Sequence, residues 1–285
     1  MNKQNAAFLS IFSNTALIIF KLIAGILMGS VSVISEAIHS SIDLLASLIA
    51  FFSIRKASKA EDDEHPFGHG KYENVSGFVE AILILLAALL IIFEAVKKLF
   101  NGGTVENIGA GLLVMFVASF INFIISMLLL KISKKTNSIA LEADAMHLLT
   151  DVYTSLGVFG GLLLLKFTGI KIIDPLTALF VAVLIIKTSV DLIRKSMSDL
   201  VDSRLPVEDL LLIQNILQSH KEISTYHNLR TRKSGSTKEI DVQVHIDKNT
   251  SLLDAHTLCD TIETEIKETL TGDAYVMIHA EPDIK

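Results

Sequence analysis

The sequence predicts a membrane all-α bundle of six transmembrane helices followed by a C-terminal cytosolic α+β domain. Three observations predict it. The composition is 51% hydrophobic with a mean hydropathy of +0.52, more apolar throughout than 285 soluble residues need to bury one core. The apolar residues fall in six runs, roughly 8–28, 31–54, 76–96, 108–131, 141–165 and 174–193, each near the ~20 residues a bilayer core asks of a helix. The remaining chain is acidic: from Asp199 onward sixteen Asp and Glu stand against nine Lys and Arg, out of a net charge of −6. The expected domains are residues 1–203 and 204–285, with the boundary near Asp202–Leu205.

The first run continues past Phe20 and shows no small-residue cleavage site, so it reads as a spanning helix rather than a cleaved signal. Its Lys21 has no partner visible in the sequence, and snorkelling or a buried ion pair would each accommodate it. The short loops set the orientation. With the N-terminus inside, the cytoplasmic loops hold Arg55, Lys56, Lys59, Lys71, Lys131, Lys134 and Lys135, against Lys97, Lys98, Lys166 and Lys171 outside. Six spans then return the C-terminus to the cytosol, and the expected location is the cell (inner, cytoplasmic) membrane.

The tail predicts an αββαβ unit. Pro206 opens a helix ending near Ser219, and a strand covers 223–232. Ser234-Gly235 turns into a second strand, where Ile240, Val242, Val244 and Ile246 alternate with polar residues. A helix buries Leu258, Ile262, Ile266 and Leu270, and a strand over 274–280 closes the unit. Cys259 is the sole cysteine, which excludes an intrachain disulfide and a cysteine-based zinc knuckle. The acidic surface argues against nucleic acid as a partner.

Spans two and five share a pattern. The second carries Glu36-Ala37-Ile38-His39, Asp43 and Ser47-Leu48; the fifth carries Asp144-Ala145-Met146-His147, Asp151 and Ser155-Leu156, each position 108 residues after its counterpart. The two spans run in opposite directions through the bilayer, so the pattern reads as an inverted repeat, with a site expected where the halves meet. Residues four apart share a helix face, and each span therefore offers one imidazole and one carboxylate. Together His39, Asp43, His147 and Asp151 make a four-ligand set suited to zinc. Ionisable groups at this depth are costly and point to function by default. Glu36 and Asp144, three residues before each histidine, fit either orienting roles or water-facing helix ends.

Other histidines sit in metal-compatible settings. The loop Glu61-Asp62-Asp63-Glu64-His65-Pro66-Phe67-Gly68-His69-Gly70 places an acidic run before an HxxxH spacing. His227, His245, His256 and His279, with Glu281, lie on different elements of the tail, which favours a shared site; His220 reads as solvated.

On these motifs, together with the run His227-Asn-Leu-Arg-Thr-Arg232 and Ile278-His279, nearly the whole chain resembles the cation diffusion facilitators. The resemblance implies a proton-coupled divalent metal exporter acting as a homodimer, with a cytosolic domain of ferredoxin-like, metallochaperone-like form. It implies a transport site at His39, Asp43, His147 and Asp151, a loop site at Asp62, His65 and His69, and a cytosolic binuclear site at His227, His245, His256, His279 and Glu281. It also implies a salt bridge between Lys71 and Asp202 at the dimer interface. Bacterial iron/zinc exporters of this family carry Asp at the position of His39; two His and two Asp here resemble the zinc-selective branch. In the tail, Glu281 stands where those relatives have Asp, and Ala280 replaces a polar neighbour.

Zinc is therefore the expected cargo and tail ligand, with protons as counter-substrate. Iron(II), manganese, cadmium or cobalt export is the alternative within the same family. A membrane metal sensor that transports nothing would need the tail histidines but not a complete intramembrane quartet. An intramembrane metalloenzyme would need an open coordination position and a nucleophile or base, and neither accompanies the four ligands. The chain is expected not to be an enzyme.

Overall fold

The computed structural model describes residues 2–28, 31–101, 109–168 and 172–284. Residue 108, where the fourth span was expected to open, and Lys171 lie outside them. The chain divides into two compact units, Met1–Met197 and Ser198–Lys285.

The first unit is built from six helices: α1 (Lys3–Met28), α2 (Val31–Ala57), α3 (Lys71–Asn101), α4 (Gly109–Thr136), α5 (Ile139–Thr168) and α6 (Ile173–Leu200), the last extending into the second unit. Each coincides with an apolar run, and most outrun it, because helical hydrogen bonding continues after the greasy residues end. The largest gain is at α3, which begins at Lys71 rather than 76 and so brings Glu73, Asn74 and Ser76 into its first turns. Among the described residues, four helices are long and apolar enough to cross a membrane: Lys3–Leu27, Lys71–Lys97, Leu113–Thr136 and Pro175–Leu200. The two helices carrying the paired motif, α2 and α5, are not among those four.

The unit wears its polarity on the inside. Phe8, Phe12, Leu27, Phe93, Phe116 and Phe180 are exposed, whereas Ser10, Asn14, Lys21, Ser40, Asp43, Ser47, Glu73, Glu80, Asp144 and His147 are buried. Water would select the reverse arrangement; lipid selects this one. Small residues let the helices approach. Ala6, Ala7, Ala140 and Ala145 are fully buried around Ile54 and Leu141, and a Cβ on Gly157 would meet Val181 Cγ2 at 2.7 Å where α5 crosses α6. Lys21 donates to Ser40 Oγ at 2.7 Å, which gives the buried ammonium of α1 an acceptor on α2.

The second unit follows the αββαβ order: α7 (Val207–Ser219), β1 (Ile223–Ser234), β2 (Thr237–Asp247), α8 (Leu252–Thr269) and β3 (Ala274–Asp283). The sheet order is β1-β2-β3, antiparallel between β1 and β2 and parallel between β2 and β3. Gly235 takes the positive φ of 60° that the tight β1–β2 turn requires. Parallel pairing needs a crossover, which α8 supplies. Its N-cap Ser251 accepts the Asp254 N–H at 3.1 Å and donates to the Asp254 carboxylate at 2.6 Å. Ile240, Val242 and Val244 of β2 pack with Ile262 and Ile266 of α8 and Ile213 and Leu217 of α7 into one core. The period-two and helical stripes of the sequence meet in that core.

Candidate metal centres

The paired motif converges. Asp43 of α2 and His147 of α5 are both buried, and His147 Nε2 lies 3.1 Å from Asp43 Oδ1. Ligand atoms around a tetrahedral zinc with bonds of about 2.0 Å stand about 3.3 Å apart, so this separation suits two ligands of one ion. Asp151 lies one turn beyond His147, half-buried and close enough for its charge to act on the imidazole. His39 lies one turn before Asp43 on the α2 backbone; its side chain, like that of Glu36, falls outside the described residues.

A hydroxyl hub holds the two helices together. Ser47 Oγ of α2 donates to Asp144 Oδ1 of α5 at 2.8 Å and accepts from Asn14 Nδ2 of α1 at 2.7 Å, with Ser10 Oγ at 3.0 Å. Asp144 is thus engaged with α1 and α2 rather than facing water at a helix end. His147 Nδ1 is buried without a hydrogen-bond partner.

The loop motif forms a second cluster. Asp62, His65 and His69 each present a ligand atom within 4.8 Å of the others. His65 Nδ1 is 3.2 Å from Asp62 Oδ1, and His69 Nε2 is 3.4 Å from Asp62 Oδ2, again near a tetrahedral edge of about 3.3 Å. The fold of the loop makes this happen. The His65 N–H donates to Asp62 Oδ1 at 2.7 Å, the Gly68 N–H to the His65 carbonyl at 2.9 Å, and Gly68 turns the chain at φ 76°. That backbone donor, with smaller help from the two imidazoles, holds the Asp62 carboxyl below the usual carboxylate range. His69 is buried against the ring of Tyr72, with Nδ1 unpartnered.

The tail supplies a third cluster, one residue per strand. His227 of β1, His245 of β2 and Glu281 of β3 bring ligand atoms within 4.8 Å of one another. Glu281 Oε2 is 3.9 Å from His227 Nε2 and 3.6 Å from His245 Nε2. Register explains the meeting: His245 stands opposite Glu281, and the pairing of β1 breaks between His227 and Arg230, where Asn228 adopts φ 51°. That bulge aims the His227 ring onto His245, with centroids 4.9 Å apart. His279 reaches the other oxygen of Glu281 at 3.7 Å. The structure does not bring His256 to this group; on α8 it faces Asp260 at 3.5 Å. His220, read as solvated, pairs with Glu265 at 2.9 Å.

Lys71 opens α3, and Asp202 follows α6 with a φ of 58° and accepts from Arg232 Nη1 at 3.4 Å. Two buried acids of α3 escaped the sequence reading. Glu73 binds Lys3 at 2.5 Å and accepts from Ser138, and Glu80 accepts from Ser76 at 2.9 Å. Glu80, like Glu94, lies inside the expected span 76–96, where an ionisable group is signal enough.

The chain is similar to known proteins along most of its length. Residues 7–201 match the family model described as the cation efflux transmembrane domain, and residues 205–283 match the cation efflux protein, cytoplasmic domain. The chain is 36% identical over 277 residues to the uncharacterized transporter sll1263 of Synechocystis sp., covering 97% of this chain and 89% of that one. It is 32% identical over 273 residues to the cation-efflux pump FieF of Shewanella oneidensis, covering 96% and 92% respectively. Among solved structures, the metal-bound C-terminal domain of the CzcD transporter from Thermotoga maritima aligns with 28% of this chain and 100% of its own, at 25% identity and a TM-score of 0.26. With one family model covering the helical unit and another the tail, and relatives similar over nearly its whole length, the chain belongs to the cation diffusion facilitators, the cation efflux family of multi-pass membrane transporters.

Proposed function

We propose that this protein exports a divalent metal, zinc foremost, from the cytosol in exchange for protons, by alternating access. It works as a homodimer with six spans and both termini in the cytosol. The observation that carries the reading is the buried meeting of Asp43 and His147 across α2 and α5, at 3.1 Å. It supports one site shared by the two halves of the inverted repeat. Asp151 and His39, one turn away on either helix, complete a set of two imidazoles and two carboxylates.

The donor set argues for the cargo. A second imidazole moves the site from oxygen-rich coordination toward zinc, cobalt or cadmium and away from manganese. It argues for the counter-ion as well. An imidazole binds metal only when neutral, so metal taken from the cytosol displaces protons and protons taken from outside displace metal. The loop and tail clusters lie in the cytosol under this topology. Tail metal held by three strands favours whichever arrangement of the dimer binds it, so it regulates rather than travels. The family is one of transporters, not enzymes, and the quartet adds no nucleophile.

Proteoliposomes enclosing a zinc-sensitive dye test the reading directly. Asp151→Ala should abolish nearly all zinc flux while the protein remains folded and dimeric. Wild-type flux from that variant would remove the site assignment.

A further inference from the structure

Two fully buried carboxyls lie beside the transport quartet without belonging to it. Glu80 of α3 accepts from Ser76 Oγ at 2.9 Å through Oε1, and its Oε2 is buried with no partner. Asp144 of α5 accepts from Ser47 Oγ at 2.8 Å through Oδ1, and its Oδ2 is likewise buried with no partner. Asp144 is close enough for its charge to act on Glu80. Among the described residues, no lysine, arginine or histidine forms an ion pair with either carboxyl.

Among the described residues, the one cationic group whose charge acts on either carboxyl is His147, and it is paired with Asp43. On α3 itself, Glu73 is tied to Lys3 of α1 and to Ser138, just before α5. On α2, Asp43 faces His147 of α5, whose charge reaches Asp144. From α6 come hydroxyls: Ser189 donates to the Ala81 carbonyl at 2.7 Å, and Ser196 Oγ is buried beside Gly77. From α1 come Ser10 and Asn14, both engaged with Ser47 and the former also acting on Asp144, and the buried Lys21, which donates to Ser40. The α3 and α5 backbones run together here, where a Cβ on Gly77 would meet Ile139 at 3.1 Å and Ala81 shares a core cluster with Met146. A carboxylate shut from water with an unfilled acceptor is costly, and two of them in one neighbourhood repel. A proton on either carboxyl removes one charge and with it the repulsion, and the two groups then titrate as a pair.

We propose that Glu80 and Asp144 form a proton-holding carboxyl pair beside the transport quartet, and that this pair carries a proton exchanged for metal. The proposal rests on the proton-coupled export reading above. Metal arriving at the quartet adds two positive charges one helical turn from Asp144. The O–H bond of the pair's proton breaks, the proton passes to cytosolic water, and the doubly ionised pair is balanced by the metal. When metal leaves outward, the pair takes a proton from the outer water and the O–H bond re-forms. The cycle moves one proton inward per metal outward through this pair, and nothing is oxidised or reduced.

The test uses the full-length protein in lipid, with zinc and proton fluxes recorded together. Glu80→Gln keeps the shape and the acceptor for Ser76. It should bind zinc at the quartet as wild type does, move about one proton fewer per zinc, and respond less to the pH gradient. In wild-type infrared difference spectra at mildly alkaline pH, zinc should bleach a protonated-carboxyl C=O band that Glu80→Gln lacks. An unchanged proton-to-zinc ratio in Glu80→Gln overturns the pair while leaving coupled export standing. A wild type with no such band overturns the pair even if the variant fails to fold. Wild-type zinc flux without proton counterflow overturns coupled export itself, and the pair with it.

Discussion

Asp62 is a carboxylate built to stay charged. Its folded-state titration lies below the usual carboxylate range, chiefly because the His65 N–H donates to it. A depressed carboxyl contributes stability that is present above its unfolded value and lost as pH falls through the folded one. The turn is therefore intact through mild acid. Metal held by this cluster would be released as its imidazoles take up protons, because they ligate only when neutral. Asp62→Asn keeps an acceptor for the His65 N–H but removes the charge. Zinc titration of the full chain should then lose one class of site, with affinity there falling by at least the roughly 10–100-fold that loss of a supporting group costs. Asp62, His65 and His69 were legible because an acidic run preceding HxxxH needs only local chain folding to converge. Glu281 was legible as a ligand type but not as the carboxylate between His227, His245 and His279, which depends on strand register. Glu73 and Glu80 carry no motif, and the groups that act on them from outside α3, Lys3, Ser138 and Asp144, lie far off in sequence.

Among the elements, helix approach is set by glycine at the α5–α6 crossing. Gly157→Val would drive its Cβ into Val181 Cγ2, 2.7 Å away. Overpacking of this kind typically costs about 1–3 kcal/mol, and a lowered melting temperature of the detergent-solubilised protein would record it. Gly160, one turn on, has nothing within 4 Å of such a Cβ; Gly160→Ala should be neutral or slightly stabilising through helix propensity, by up to about 1 kcal/mol. Hydropathy located all six helices but not their ends, since the polar first turns of α3 belong to the helix without being apolar. The last strand was expected to stop at 280, yet β3 runs to Asp283 through Pro282. An edge strand tolerates proline because one of its sides pairs with nothing. The bulge at Asn228 was invisible to alternation, which registers the faces of a strand and not its slips.

For the whole molecule, each unit closes its own core, so residues 204–285 should fold alone around Ile213, Ile240, Ile262 and their neighbours. Candidate ligands contributed by all three strands would let a bound zinc clamp that fold. At about 100 times its Kd a single zinc would stabilise it by about 2.7 kcal/mol, and His245→Ala should abolish the zinc-induced rise in melting temperature. A tail whose melting ignores zinc in the wild-type sequence would be purely structural. The buried contact between Asp43 and His147 has a further consequence, in biogenesis. Its partners are 104 residues apart, so α2 is synthesised well before the helix that satisfies it. Asp43 must wait in the membrane, or α2 must wait at its surface, until α5 arrives. The insertion of α2 thus depends on a part of the chain made 104 residues later.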